Sequence, residues 1–283
     1  MAVCLASVVS SALPDLRYQP TPKRVRVRVA GTPVADTTQA VLVWEPHRVV
    51  PQYAVPIEDV LAQLVPQRPG DDVISGGVEK HRADGPMVLT PSTGFSVHTS
   101  DGDVFTVRTA EHECPGAAFQ PHDPDLAGYV VLDFNAFDEW LEEDEIILGH
   151  PRDPFKRIDI RQSSRTVRIE RDGVVLAESS RPILLFETSL PVRFYLPPAD
   201  VRTDLLHPSD TTTVCAYKGV ASYWSLPGAA GANAIADIVW SYPRPLPDAV
   251  PITGMLCFFD ERVDVMLGGV RRERPNSPWA NQP

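Results

Sequence analysis

Residues 31–45, GTPVADTTQAVLVWE, return in diverged form as residues 173–187, GVVLAESSRPILLFE, and this internal repeat limits the possible folds more than any other feature of the chain. Aligned without a gap, Gly31 meets Gly173, Ala35 meets Ala177, Asp36 meets Glu178, Leu42 meets Leu184, Trp44 meets Phe186 and Glu45 meets Glu187. Tyr53 meets Tyr195 at the same spacing, and Pro51 stands where the second copy has Arg193. One extra residue in the first copy then sets Pro56, Asp59, Val60 and Leu64 against Pro197, Asp200, Val201 and Leu205. The far ends match as well: Gly128 with Gly254, Val130 with Leu256, Leu132 with Phe258 and Asp138 with Asp264. The 283 residues therefore read as a first, degenerate repeat domain (24–150) and a second repeat domain (165–270). A polar linker (151–164) joins them, an N-terminal arm (1–23) precedes them and a flexible tail (271–283) follows.

Each copy reads as strands. Val25, Val27 and Val29 alternate with arginines, and Val167 and Ile169 repeat the pattern, the period of two that a half-buried strand requires. Asp172-Gly173 is a hairpin turn signal. Residues 182–186 and 193–196 are short apolar strands, and 255–259 with 263–267 read as a closing hairpin. Pro198 to Leu206 reads as one short helix, with proline early. The chain has 29 prolines spread along its length, which favours short strands and many turns over long helices.

A net charge of −11 repels phosphate backbones and anionic lipid heads, so neither nucleic acid nor a membrane surface is an expected partner. Cys4, Cys114, Cys215 and Cys257 are widely spaced and form no CxxC pair, which argues for free thiols in a cytoplasmic protein. The opening MAVCLASVVSSALPDL lacks the basic start of a signal peptide, and serines interrupt its apolar run, so a short helix or arm is expected. No stretch approaches the roughly 18 apolar residues of a membrane span. The sequence leaves the oligomeric state open.

The second copy contains LLFETSLPVRFYLPPADV (184–201), TTVCAYKGVASYWSL (212–226), VWSYPRP (239–245) and ITGMLCFFDERVDVMLGG (252–269). These strings resemble the family known as domain of unknown function 427, also labelled nucleotidyltransferase-like. EWLEEDE (139–145), HPRDP (150–154) and SSRTVRI (163–169) are similar to its tandem two-domain members. The resemblance implies a mainly β fold: two tandem β-tent-like domains of short antiparallel sheets, each with one short helix. Many tent-like domains hold zinc through two CxxC pairs; this chain has neither, so no metal and no cofactor is expected. The label does not bring a mechanism with it, because nucleotidyl transfer needs a phosphate cradle and paired carboxylates that are not seen here.

The polar and aromatic residues of the second copy are the candidate site. Lys218, Glu187 and Tyr195 are the candidate catalytic groups, and Arg193, Tyr223, Trp224, Trp240, Tyr242 and Cys215 would bind a small-molecule ligand or substrate. Phe119 stands for Trp240 in the first copy, and the CAYKGVASYW segment has no visible counterpart there. Gly219 lets the chain bend beside Lys218. If aromatic rings walled off the lysine, its pKa would fall and it could serve as nucleophile or base; if paired with Glu187, it would instead anchor an anion. A surface lysine, a simple Glu187–Arg193 ion pair and a core Trp240 are the structural alternatives. Cys215 would share a face with Lys218 only if the strand were irregular. His112, Glu113, Cys114, His122 and Asp123 lie in a loop without regular ligand spacing. Glu142–Glu145 read as a solvated helix or loop with Trp140 and Leu141 docking inward. The expected function is a small-molecule enzyme with non-redox acid–base or hydrolytic chemistry in the second domain. The alternatives are a non-catalytic binding module with an aromatic box and a structural, pseudo-symmetric protein.

Overall fold

The computed structural model describes residues 2–67, 88–228, 234–275 and 277 and is mainly β. It divides into two compact units, Met1–Asp153 and Pro154–Pro283. After a helix α1 (Leu5–Ser11), the first unit contains β1 (Arg17–Pro20), β2 (Val25–Val29), β3 (Thr32–Thr37), β4 (Val41–Trp44), β5 (Gln52–Pro56), β6 (Gln63–Pro66), β7 (Gly102–Arg108), β8 (Glu113–Pro121), β9 (Tyr129–Leu132), β10 (Glu139–Glu142) and β11 (Glu145–Ile146). The second contains β12 (Ile158–Gln162), β13 (Val167–Arg171), β14 (Val174–Ser179), β15 (Ile183–Glu187), β16 (Arg193–Leu196), β17 (His207–Cys215), β18 (Gly219–Leu226), β19 (Ile235–Ser241), β20 (Leu256–Phe258), β21 (Asp264–Leu267) and β22 (Val270–Arg271).

The repeat is a repeat of topology. The large sheets run β1-β4-β5-β9-β8-β7-β6 and β12-β15-β16-β20-β19-β18-β17, and the small sheets run β11-β10-β2-β3 and β22-β21-β13-β14. All pairings within them are antiparallel. The Asp172-Gly173 turn has positive φ at both positions (50° and 81°), the conformation a two-residue hairpin demands. Ala30-Gly31 repeats it at 47° and 80°.

In the second unit the inter-sheet core joins Leu184, Phe194, Leu196 and Phe258 of the large sheet to Val167, Ile169 and Leu176 of the small one. The alternate residues Leu185, Tyr195, Trp240 and Cys257 face the other way into a second cluster, capped by Ala249 and Ile252. Central strands of the large sheet are buried on both faces, so 183–186 and 193–196 read as apolar runs instead of alternating patterns.

Several expectations are revised. Residues 255–259 and 263–267 do not form a hairpin: β20 pairs with β16 and β19, whereas β21 pairs with β13 and β22. Between them the chain crosses from one sheet to the other through buried Asp260, Glu261 and Arg262. The short helix at 198–206 is two 3₁₀ turns, Pro198–Asp200 and Thr203–Leu205. Val201 bridges to Ala177, and the Arg202 N–H donates to Leu176, which takes the backbone out of a continuous helix. The arm and the linker both supply strands, β1 against β4 and β12 against β15, because these edges would otherwise be unpaired. The acidic stretch is the β10–β11 hairpin, in which Trp140 is buried and Glu142 accepts from Tyr53 at 2.7 Å. Of the tail expected to be flexible, residues 276 and 278–283 lie outside the described residues.

Candidate functional site

Lys218 lies in a turn at residues 216–218, between the paired ends of β17 and β18, where Cys215 faces Gly219. Gly219 has φ +97°, and a Cβ there would sit 3.4 Å from both the Arg244 carbonyl oxygen and the Leu246 nitrogen. The Lys218 carbonyl accepts from the Leu246 N–H at 3.1 Å, which pins the turn. So held, Lys218 is 9% exposed and its Nζ is 2.5 Å from Glu187 Oε2. Glu187 ends β15 on the face shared by Leu185 and Tyr195.

Burial works against the ammonium, yet Cys215 and Glu187 beside it hold the Lys218 pKa above its ordinary value. The lowered lysine pKa expected from aromatic walls is therefore reversed: burial does act on the ammonium, but the neighbouring Cys215 and Glu187 override it. Lys218 is a held ammonium and not a neutral nucleophile.

Tyr195 and Tyr242 are buried, and Tyr223 packs against the same cluster. The Tyr195 hydroxyl accepts from Trp240 Nε1 at 3.0 Å, and burial pushes its pKa well above the usual value. Burial does the same to Tyr242, which packs in one cluster with Tyr195, Cys215 and Tyr223. Tyr223 exchanges a 2.7 Å hydrogen bond with Thr213. The structure thus gathers Glu187, Tyr195, Cys215, Lys218, Tyr223, Trp240 and Tyr242 into one region. Cys215 joins it because the chain turns after residue 215 instead of continuing as a strand, which would have put Lys218 on the opposite face.

One candidate goes elsewhere, and another stays at the cluster with a different partner. Trp224 follows Tyr223 along β18 and so packs into the inter-sheet core. Arg193 does not pair with Glu187. Its guanidinium binds Glu261 with two bonds of 2.8 Å and lies 5.5 Å over the Trp240 ring, a buried wall of the cluster. Burial would raise the Glu261 carboxyl, but the bond from Arg193 holds it low. Asp260 beside it is pushed up to about 7, chiefly by burial.

Strand register corrects the comparison of the copies. Leu42 pairs with Tyr53, but Leu184 pairs with Phe194, so Tyr53 corresponds to Phe194 and Ala54 to Tyr195. Gln52, not Pro51, stands at the Arg193 position. The extra residue lies before β5. Phe119 does correspond to Trp240, since each pairs with the matched residues Val131 and Cys257. β6 and β7 are the counterparts of β17 and β18 that the sequence comparison could not find.

The first unit also keeps a polar cluster that sequence reasoning missed. Glu45, 1% exposed, accepts from His98 Nδ1 at 3.2 Å, from Ser100 Oγ at 2.9 Å and from the Thr99 N–H at 3.1 Å, with Arg48 at 3.5 Å. Burial would raise its pKa, but His98, Arg48 and Ser100 hold it low. The ring of His98 stacks on Phe119 at 3.7 Å. The one legible signal was Glu45 itself, because its partners come from a segment with no repeat match. The residues weighed as metal ligands serve local pairs: Glu113 binds Arg108, and His122 binds Asp103 at 2.8 Å.

A family model described as a domain of unknown function (DUF427) matches residues 17–72 and 159–269. The two matches begin at β1 and at β12, the equivalent edge strands of the two units. No curated protein matches the chain. Among the described residues no helix is long and apolar enough to cross a membrane.

Proposed function

We propose that this chain, which belongs to the family described as domain of unknown function DUF427, is a small-molecule enzyme with non-redox acid–base or hydrolytic chemistry in its second unit. The observation that carries the reading is the buried Lys218–Glu187 pair on the side of the sheet that carries Tyr195, Tyr223 and Tyr242. Burying two opposite charges costs several kcal/mol of desolvation, and a hydrophobic pair of similar volume is often as stable. A proton donor and an acceptor held 2.5 Å apart beside polar hydroxyls are what acid–base catalysis uses. In this reading Glu187 takes protons, the Lys218 ammonium supplies them and steadies developing negative charge, and Tyr195 orients the substrate through its hydroxyl.

A second reading, binding without turnover, draws on Tyr195: its hydroxyl is tied to Trp240 and its pKa is pushed far from neutrality, which suits an anchor better than a proton carrier. A panel of small esters, amides and phosphoesters, followed by mass spectrometry, tests the enzyme reading. Turnover by the wild type that falls at least about tenfold in both Glu187→Gln and Lys218→Met supports it. Binding seen as quenching of tryptophan fluorescence, with no substrate consumed by any variant, supports the second. Turnover unaffected in both variants defeats the assignment of these residues.

A further inference from the structure

We propose that the first unit carries a ligand site of its own, in which His98 Nε2 accepts a hydrogen bond from the hydroxyl of a small, uncharged, largely aromatic molecule. The inference goes beyond the reading of the second unit and does not depend on it. Glu45 continues the alternation of Val41 and Val43 along β4, so it lies on the sheet face of the cluster that also holds Phe95, Phe119 and Val131. This is the face on which the second unit carries Lys218 and Glu187, since Glu45 matches Glu187 and Phe119 matches Trp240.

The surroundings fix which ring nitrogen carries the proton. His98 Nδ1 lies 3.2 Å from Glu45 Oε2, and the same oxygen is 3.5 Å from the Arg48 guanidinium. Ser100 Oγ and the Thr99 N–H donate to the other oxygen at 2.9 and 3.1 Å. Glu45 is thus a carboxylate, which only accepts, so Nδ1 holds the hydrogen. Arg48 already balances that charge, which leaves the imidazole neutral and its Nε2 a free lone pair. The ring has no room to turn: Phe119 stacks on it at 3.7 Å and 10°, and Phe95 meets it edge-on at 5.1 Å and 87°.

Nε2 itself points to an occupant. It is buried and has no hydrogen-bond partner among the described residues, while the side chain as a whole is only 11% exposed. A buried acceptor left unpaired costs free energy, and a bound donor removes that cost. A lone pair selects an O–H or N–H donor, and the balanced charge of Glu45 and Arg48 selects an uncharged one. With Phe95 and Phe119 as the rings against His98, a phenolic hydroxyl fits best: it is a strong uncharged donor and brings an aromatic body. Residues 91–101, which carry His98, form turns and bends without a strand, so entry displaces a loop and breaks no sheet pairing.

The full chain, with nitrogen-15 in its histidine rings, is titrated with phenol, and the ring nitrogens are followed by NMR. Anisole, which has the same ring and no donor, is the comparison. The expected result is one Nε2 resonance, missing in His98→Phe, that is unprotonated in the free protein and shifts saturably with phenol but not with anisole. Glu45→Gln, which frees the ring to change tautomer, is expected to weaken phenol binding at least about tenfold. Should either variant fail to fold, the wild type decides: the resonance is assigned through the contact of its ring with Phe119, and phenol is set against anisole. A His98 Nε2 that carries the proton in the free protein overturns the proposal. So does a resonance that millimolar phenol leaves in place, or one that anisole moves equally. None of these results bears on Lys218 and Glu187, so the reading of the second unit stands or falls on its own test.

Discussion

Lys218 of the second unit and Thr99 of the first lie at the same distance along the chain from equivalent strand positions, each five residues before a strand residue (Tyr223, Val104) that pairs with the matched ring of Trp240 or Phe119. Both lie on a buried carboxylate. Lys218 reaches Glu187 with its side chain; Thr99 reaches Glu45 with its backbone N–H, the His98 ring bonds the same carboxylate, and the cation there is Arg48. The two copies therefore keep one device, a matched glutamate carboxylate neutralised at the end of the fourth strand of each unit, and build its partners from unrelated residues.

Removing one partner of the second-unit pair leaves a buried charge alone. Lys218→Met is expected to destabilise the second unit by roughly 3 kcal/mol, and the double variant Lys218→Met/Glu187→Gln to recover at least half of that loss. Urea unfolding of these two variants and of Glu187→Gln measures the coupling. A single variant as stable as the wild type would show that the pair carries no charge in the folded protein.

Arg193 holds Glu261 through a two-pronged bond that lysine cannot reproduce. Arg193→Lys is expected to lose roughly 1–2 kcal/mol and Arg193→Ala roughly 3 kcal/mol. Because the guanidinium lies on the Trp240 ring, both changes should also shift tryptophan emission. Unchanged emission would separate Arg193 from the aromatic cluster.

Asp260 predicts a pH dependence. Its carboxyl titrates at about 7 in the folded chain, and its ordinary value is 3.8. The folded state thus holds a proton that the unfolded state has released between these values. The contribution is fully present below about pH 4, falls as pH rises through the window to 7, and is gone above it, with a slope of at most about 1.4 kcal/mol per pH unit. Asp260→Asn should flatten the stability profile between pH 4 and 7. A profile of equal slope in the variant assigns the proton elsewhere.

Gly219 tests how strictly the turn is set. At φ +97°, with a Cβ 3.4 Å from two backbone atoms, Gly219→Ala is expected to cost roughly 1–2 kcal/mol and to displace Lys218. Crystallography of the variant reads the Lys218–Glu187 distance directly; a distance still near 2.5 Å would mean that the turn tolerates the methyl.

The sequence by itself determined the duplication, the β character and the Asp172-Gly173 hairpin, because these depend on local pattern: residue type, period and turn chemistry act over a few positions. It also named most of the residues that meet around Lys218. Tertiary structure decided which partner each one takes. Glu187 and Arg193 are close in sequence and of opposite charge, yet they bind Lys218 and Glu261, because those partners arrive from strands and turns far along the chain. The same is true of Tyr53, whose match to Tyr195 was undone by the register of strand pairing, and of the Lys218 pKa, whose direction follows from neighbours that only folding brings together. Local pattern can state that a side chain will be buried, but the charge it meets there is set by long-range topology.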